Sequence, residues 1–305
     1  MDISFSFIIP HKNTPKLLER CLRSIPDRED LEIIVIDDGS DVTLMPQVAA
    51  YSNVRLLKNS ISRGAGFARN VGLHHARGKW VIFADSDDFF NYCVGDCISE
   101  YFCSDADIVF FRANSVDGKS YVNASRAVQL NRFVDVYKGN VSKGAKLLRY
   151  KFGEPWSKMI KMDLIRRYSI LFDEVEVHND TMFSLLVGFH AASIMVDNRA
   201  IYCCTVRQGS LSYSDSIAKL LVRVDVFSRA ERFLKANLVT NVWVFKHFVA
   251  LIYLLVLDRS AFIKGYKKMR ENNNSFFGVV LRIFISIPLF LADLNKVWVK
   301  RFIYK

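Results

Sequence analysis

Through its first ninety residues the chain alternates short apolar, β-branched runs with stretches whose apolar positions recur at helical spacing, and nearly every apolar run is closed by a polar cluster. Ile3 to Ile9 reads as a strand that ends at Pro10-His11-Lys12-Asn13. A helix is predicted from Pro15 to Ser24, with Leu17, Leu18, Cys21, Leu22 and Ile25 on one face. Leu31 to Ile36 is a second strand, closed by Asp37-Asp38-Gly39-Ser40, and Val54 to Leu57 a third. Gly64 to Arg77 has helical spacing, and Val81 to Ala84 supplies a fourth strand that runs into Asp85-Ser86-Asp87-Asp88. Strands that are apolar throughout and alternate with helices predict an open α/β sheet covered on both faces.

Such sheets bind ligands outside the carboxyl ends of their strands, where the winding direction reverses. Each polar cluster is ordinary turn chemistry by itself, but three occur at corresponding strand ends. The acidic cluster is the most specific of them. Three carboxylates in four residues directly after a buried strand must be paired, hydrated or bound to a cation. Oxygen donors favour Mg2+ or Mn2+, which take one or two carboxylates together with water and substrate phosphates. On this reading Asp87 touches the metal, Asp85 serves the ribose or a metal-bound water, and Asp88 orients its neighbours.

Farther along, Ile108 to Phe111, Trp156 to Ile160 and Ile194 to Thr205 return to strand-like composition, and a catalytic domain is expected over residues 1–215. Residues 216–305 read as a mainly helical region, with Asn272-Asn273-Asn274 breaking a helix. Charge separates the two parts. Of the net +11, residues 216–305 carry 16 Lys/Arg against 5 Asp/Glu, which leaves residues 1–215 balanced. That asymmetry predicts an anionic surface as the partner of the C-terminal region. At 305 residues and 51% apolar composition the core is ample. Six cysteines without a Cys-x-x-Cys exclude a zinc ribbon or disulfide framework and fit a reducing, cytoplasmic setting; Cys93 and Cys97 read as buried thiols. No charged leader and apolar core precede the first strand, so no secretory signal is expected. His11, His74, His75 and His178 have no ligand spacing.

Taken together, Ile33-Ile34-Val35-Ile36-Asp37-Asp38-Gly39-Ser40, Gly64-Ala65-Gly66-Phe67-Ala68-Arg69-Asn70 and Phe83-Ala84-Asp85-Ser86-Asp87-Asp88 resemble the nucleotide-binding half of the family 2 glycosyltransferases. The likeness is strong over residues 3–90 and looser to about 215. It implies a GT-A fold, a Rossmann-like mixed sheet with helices on both faces, here followed by the mainly helical C-terminal region. It also implies an inverting, metal-dependent transfer from a nucleotide diphosphate sugar, with UDP the usual nucleotide. By the resemblance Asp38 accepts a hydrogen bond from the base, Arg69 lies near the nucleotide, and Asp85 and Asp87 form the metal and ribose site. Pro10 and Lys12, at the first strand tip, fall on the donor side. Lys12 departs from the family, which often places a base-stacking aromatic there. Gly64-x-Gly66 fails as a dinucleotide fingerprint, because Arg69 stands where a third glycine is required. Gly64, Ala65, Ala68 and Gly72 can equally be small for packing, and Arg69 can be ligand or structural ion pair.

Inversion needs a base on the sugar face opposite the leaving nucleotide. Asp180 in His178-Asn179-Asp180-Thr181-Met182-Phe183 resembles the family's acidic pair, with Asn179 replacing the usual glutamate. The same position also suits a helix N-cap before the apolar run Met182 to Phe189. Trp156-Ser157-Lys158 resembles the family's Trp-Asn-Lys segment, and Arg207 through Ser212 its basic loop. Lys158 or Arg207 would stabilise the departing diphosphate, or else be solvated cations.

The longest apolar run, Phe248 to Leu257, falls short of the roughly 20 residues of a spanning helix. In Phe276 to Ala292, interrupted by Arg282 and Pro288, helical geometry gathers Arg282, Ser286, Asp293, Lys296 and Lys300 on one stripe. Ile283, Phe284, Ile285, Leu289 and Phe290 form an apolar arc beside it. Upstream, Phe262, Ile263, Tyr266 and Met269 oppose Lys264, Lys267, Lys268 and Arg270. Basic amphipathic helices predict peripheral attachment to an anionic inner membrane face, or packing on one another or on a second subunit. The expected acceptor is a glycan or lipid-linked hydroxyl in bacterial surface polysaccharide assembly. The competitors are a nucleotidyltransferase, which lacks its glycine- and lysine-rich entry loop after the first strand, and a silent scaffold. A nucleic-acid binder is disfavoured, because the basic residues are interleaved with aliphatics rather than with exposed stacking aromatics.

Overall fold

The computed structural model describes residues 2–207, 216–240, 242, 246–272 and 276–303, without the side chains of 276, 277, 293 and 295–303. Within these bounds the chain forms two compact units, one of residues 1–175 with 179–210, the other of 176–178 with 211–305.

In the first unit the order is β1 (Phe5–His11), α1 (Pro15–Arg23), β2 (Leu31–Asp37), β3 (Val54–Lys58), α2 (Ala65–His75), β4 (Trp80–Phe83) and β5 (Phe89–Phe90). Next come α3 (Val94–Glu100), β6 (Ile108–Asp117), α4 (Val128–Gly139), α5 (Val141–Lys151), β7 (Lys158–Lys161), α6 (Met162–Arg167), α7 (Thr181–His190) and β8 (Ile194–Val206). One eight-stranded sheet results, in the order β3-β2-β1-β4-β7-β6-β8-β5. β1, β2, β3 and β4 are parallel, whereas β7 runs antiparallel between β4 and β6. β1 and β2 are buried at every position, as their largely apolar pattern requires of strands covered on both faces. Pro10 is tolerated inside a central strand because β4 pairs only as far as Ile8↔Phe83 and leaves that edge of β1 free beyond it.

α2 lies close on the sheet. A Cβ on Gly72 would sit 2.4 Å from Ile8 Cγ2, and Ala68 is fully buried, so these two do the packing expected of them, whereas Gly64 has open space around it. The polar groups under the sheet are satisfied. Ser6 donates to Glu32 at 2.7 Å, and Glu32 accepts from the Arg77 amide at 2.6 Å. Winding reverses at β1, with β2 on one side and β4 on the other. The carboxyl tips of β1 and β4 therefore adjoin, and Thr14 Oγ1 lies 3.3 Å from Ser86 Oγ.

The second unit is built of α8 (Ile217–Ala236), α9 (Lys246–Leu257), α10 (Arg259–Glu271) and α11 (Phe276–Ile303) around Leu220, Val224, Phe248, Leu251, Leu254 and Met269. Phe262 and Tyr266 of α10 pack on this core and Met269 is buried in it. Of the lipid-facing residues expected on α10, only Ile263 is exposed. A helix with neighbours on its apolar side is used up by packing. In α11 the expected polar stripe turns inward: Arg282 pairs with Glu231 of α8, and Ser286 is fully buried. Ile283 packs on the core and Phe290 meets Tyr253 at 4.8 Å, while Leu281, Phe284, Ile285, Leu289 and Leu291 stay exposed. Asn273 and Asn274, and the side chains of Asp293, Lys296 and Lys300, lie outside the described residues.

Candidate active site

The loop after β4 is held by groups that arrive from far along the chain. Asp88 is buried and accepts from Tyr202 Oη at 2.8 Å and from the Thr205 amide at 2.6 Å. The same Tyr202 hydroxyl accepts from the Asp85 amide at 2.9 Å, and its ring stacks on Trp156 at 5.5 Å. The carbonyl of Asp87 takes bonds from Arg20 and, at 2.5 Å, from Thr205 Oγ1. Asp88 thus ties the loop to β8. Tyr202, Thr205 and Arg20 carry no signal in the sequence as loop-holding groups, because each lies more than 65 residues from the loop it holds.

The other two carboxylates each carry an arginine. Asp85 Oδ1 pairs with Arg69 at 2.6 Å, and Arg69 also donates to Asn179 Oδ1 at 2.9 Å over the ring of Phe172. Of the two roles open to Arg69, the structure displays the ion pair. Asp87 Oδ2 pairs with Arg207, at 3.0 Å from Nε and 2.5 Å from a terminal nitrogen. Burial and the Asp85 charge still push the Asp87 carboxyl above its ordinary value, outweighing Arg207, and burial with both neighbours pushes Asp88 well above it. The cluster therefore retains an appetite for positive charge. No group of three or more His, Cys, Asp or Glu among the described residues is placed to hold a metal by itself. Two carboxylates, each engaged through one oxygen, fit a cation whose remaining positions are filled by phosphate and water.

Asp38 departs from its expected role. Its oxygens accept from Asn59 Nδ2 at 3.0 Å, Ser62 Oγ at 2.7 Å and the amides of Arg63 and Gly64 at 3.0 and 2.7 Å. A carboxylate has about four acceptor positions, so Asp38 is spent on ordering the turn that enters α2, including Gly64 at φ +90°, and leaves none for a base. Burial raises its pKa, but these bonds outweigh it and hold the carboxyl below its ordinary value. Asp37, beside it, pairs with His11 Nδ1 at 2.9 Å. Pro10 is enclosed in β1 and offers no free side chain, while Lys12 is exposed just beyond the strand.

Lys158 is a second correction. Rather than facing a diphosphate or solvent, it is 1% exposed, donates to Ser184 Oγ at 3.1 Å, and lies 4.9 Å from the Phe152 ring centroid. Burial lowers its pKa to about 7, against the pull of Glu154 and Asp180.

Asp180 occupies the N-cap position of α7, yet its side chain makes no cap hydrogen bond. The carboxylate is half-buried, and burial, reinforced by Glu154, raises its pKa to about 6 despite Arg69. Arg69 joins this region to the acidic loop, because it bonds both Asn179 and Asp85. Asp85, Asp87, Asp180, Arg69 and Arg207 are thus gathered around one strand-end region, while Asp38 supports its flank and Lys158 its interior. Ser212 and the rest of the basic loop after Arg207 lie outside the described residues.

Residues 6–167 match the sequence family described as Glycosyl transferase family 2. The poly(ribitol-phosphate) beta-N-acetylglucosaminyltransferase TarS of Staphylococcus aureus is 27% identical over 218 residues, 68% of this chain and 36% of TarS. The chain thus spans about a third of that relative's length. Among solved structures, S. aureus TarS 1-349 in complex with UDP-GlcNAc superposes with a TM-score of 0.61 at 20% identity, covering 88% of this chain and 81% of that one. The mannosyltransferase PcManGT of Pyrobaculum calidifontis, in complex with GDP-Man and Mn2+, has a TM-score of 0.54 at 16% identity, covering 98% and 83%. The mixed sheet is that of the GT-A fold.

Proposed function

The chain belongs to glycosyl transferase family 2, and from that premise we propose that it transfers a sugar, with inversion, from a UDP-sugar to a hydroxyl of a glycan or lipid-linked acceptor. In the reaction a bond forms between the acceptor oxygen and the anomeric carbon, the bond from that carbon to the β-phosphate oxygen breaks, and the diphosphate leaves with the electron pair. Asp180 takes the acceptor proton. The observation that carries this role is a carboxylate at a helix start that declines to cap the helix and has a pKa raised to about 6. A base of that strength is ionised at neutral pH yet basic enough to assist the attack.

Asp85 and Asp87 would hold Mn2+ or Mg2+ jointly with the diphosphate, and such a cation neutralises the charge that develops on the leaving group. Arg207 supplies a guanidinium at the same edge, suited to bidentate phosphate contact. A UDP donor and a polyol or glycan acceptor are supported by analogy with TarS, through its name and its UDP-GlcNAc complex. The deciding experiment is release of UDP from UDP-sugars with Mn2+ and an acceptor. Asp180→Asn should abolish transfer and keep UDP affinity; retained turnover removes Asp180 from the mechanism.

The second unit supports attachment to an anionic membrane. No helix among the described residues is long and apolar enough to cross one. Leu281, Phe284, Ile285 and Leu289 of α11 and Leu255 to Leu257 of α9 are exposed on a unit rich in lysine and arginine.

A further inference from the structure

The two arginines paired with carboxylates of the acidic loop are not alike. Arg69 is nearly enclosed, with its side chain 6% exposed, and is anchored at a second point by Asn179. Arg207 has a side chain 35% exposed and makes its charged contact with Asp87 alone among the described residues. Its stem lies over Gly118, where a Cβ would come within 2.8 Å of Arg207 Cγ and 3.5 Å of Cδ, so the aliphatic part has a bare surface to lie on. The loop does not need Arg207 to keep its shape. The Asp87 carbonyl is held by Arg20 and Thr205, and Asp88 by Tyr202 and Thr205. Arg207 can therefore leave Asp87 while the loop backbone that carries the carboxylate stays in place.

Both Arg207 nitrogens converge on Oδ2 of Asp87, so in the free protein the carboxylate proposed to hold a cation already has one. A divalent ion placed on Asp87 beside a guanidinium within hydrogen-bond distance meets like-charge repulsion that screening at this half-buried site only partly relieves. A diphosphate removes the conflict, because it offers Arg207 an anion of its own and adds negative charge to the metal's other side. We propose that Arg207 is a resident cation that guards Asp87 from divalent metal in the free protein and hands it over when a nucleoside diphosphate arrives, so that metal and nucleotide bind as a coupled pair. This rests on the reading of Asp85 and Asp87 as a cation site shared with the donor. Arg207 is then a positioning residue for the cation as well as a phosphate contact. By linkage, whatever factor UDP adds to metal affinity, metal adds to UDP affinity.

The test is Mn2+ binding, read from the free-ion paramagnetic resonance signal, to wild type, Arg207→Gln and Arg207→Lys, each with and without saturating UDP. For wild type, weak binding of Mn2+ alone should tighten at least tenfold with UDP. In Arg207→Gln, Mn2+ alone should bind about tenfold tighter than to wild type, and the gain from UDP should shrink to a few-fold; Arg207→Lys should fall between. A residue that merely braced the loop would give the opposite sign, since its loss would loosen the site and weaken Mn2+. Unchanged or weaker binding of Mn2+ alone in Arg207→Gln, with wild-type coupling to UDP intact, overturns the guarding role and leaves the shared cation site standing. If no protein binds Mn2+ even with UDP, the cation site itself is refuted, and the guarding role with it.

Discussion

Replacing Asp180 by Asn should do two things at once, stop the enzyme and stabilise it. The folded protein raises this carboxyl from 3.8 to about 6. At 1.36 kcal/mol per unit, the ionised form is disfavoured in the fold by up to about 3 kcal/mol, less whatever solvent reaching a half-buried group relieves. The sign follows from linkage. The folded state binds this proton more tightly than the unfolded chain, so the group costs nothing below the unfolded value near 4, and stability is lost as pH rises through about 6. At pH 7.5 the full cost is present, and Asn, which cannot ionise, removes it. For a chain of this size each kcal/mol moves the melting temperature by roughly 2–4 °C, so a rise of several degrees is expected at pH 7.5. At pH 4.5 it should fall to about a third. Turnover should drop by about 10²–10⁴, the usual worth of a general base, and the wild-type rate should rise with pH through about 6 and then level off. The assay is scanning calorimetry at the two pH values beside UDP release. An N-cap role predicts something else, since Asn and Asp cap helices equally well. An unchanged melting temperature at pH 7.5 with turnover within a few-fold of wild type would refute the reasoning.

Tyr202→Phe deletes one hydroxyl that serves both the Asp85 amide and the Asp88 carboxylate; it should cost about 1–3 kcal/mol in a denaturant titration and weaken UDP binding measured calorimetrically with Mn2+. Lys158→Met should raise the melting temperature at neutral pH, because burial holds this amine down at about 7, and the folded protein therefore gains stability as pH rises from there towards the unfolded value of 10.5. That advantage should narrow between pH 7 and 10, and a lower melting temperature for the variant would show that the buried amine is net stabilising. Phe284→Asp with Leu289→Asp, both on exposed positions of α11, should abolish flotation with anionic liposomes at low salt while leaving UDP release in solution intact; undiminished flotation would move the lipid contact elsewhere.

The sheet's parallel half, with its strand ends at His11, Asp37 and Phe83 within two residues of expectation, was legible because apolar runs and turn residues act locally. That the acidic loop must find partners was legible for the same reason, since three carboxylates within four residues are too costly to leave without a cation or partner, and each has one. The long β6, reaching Asp117, and the helices α4 and α5 were not, because their periodicity is broken by polar residues that face outward.

Local pattern says what a segment prefers to be and which atoms it offers; it does not say which distant group will meet them. The antiparallel β7 between β4 and β6 follows from chain path, since an apolar run reads the same in either direction. The pairing of Asp85 with Arg69 and of Asp87 with Arg207 joins residues 16 and 120 apart. The saturation of Asp38, the burial of Lys158 and the inward turn of Arg282 are likewise products of packing. Residue types set the charges present along this chain, and tertiary structure alone decided which were neutralised, which were buried, and which, like Asp180, were left without a capping hydrogen bond.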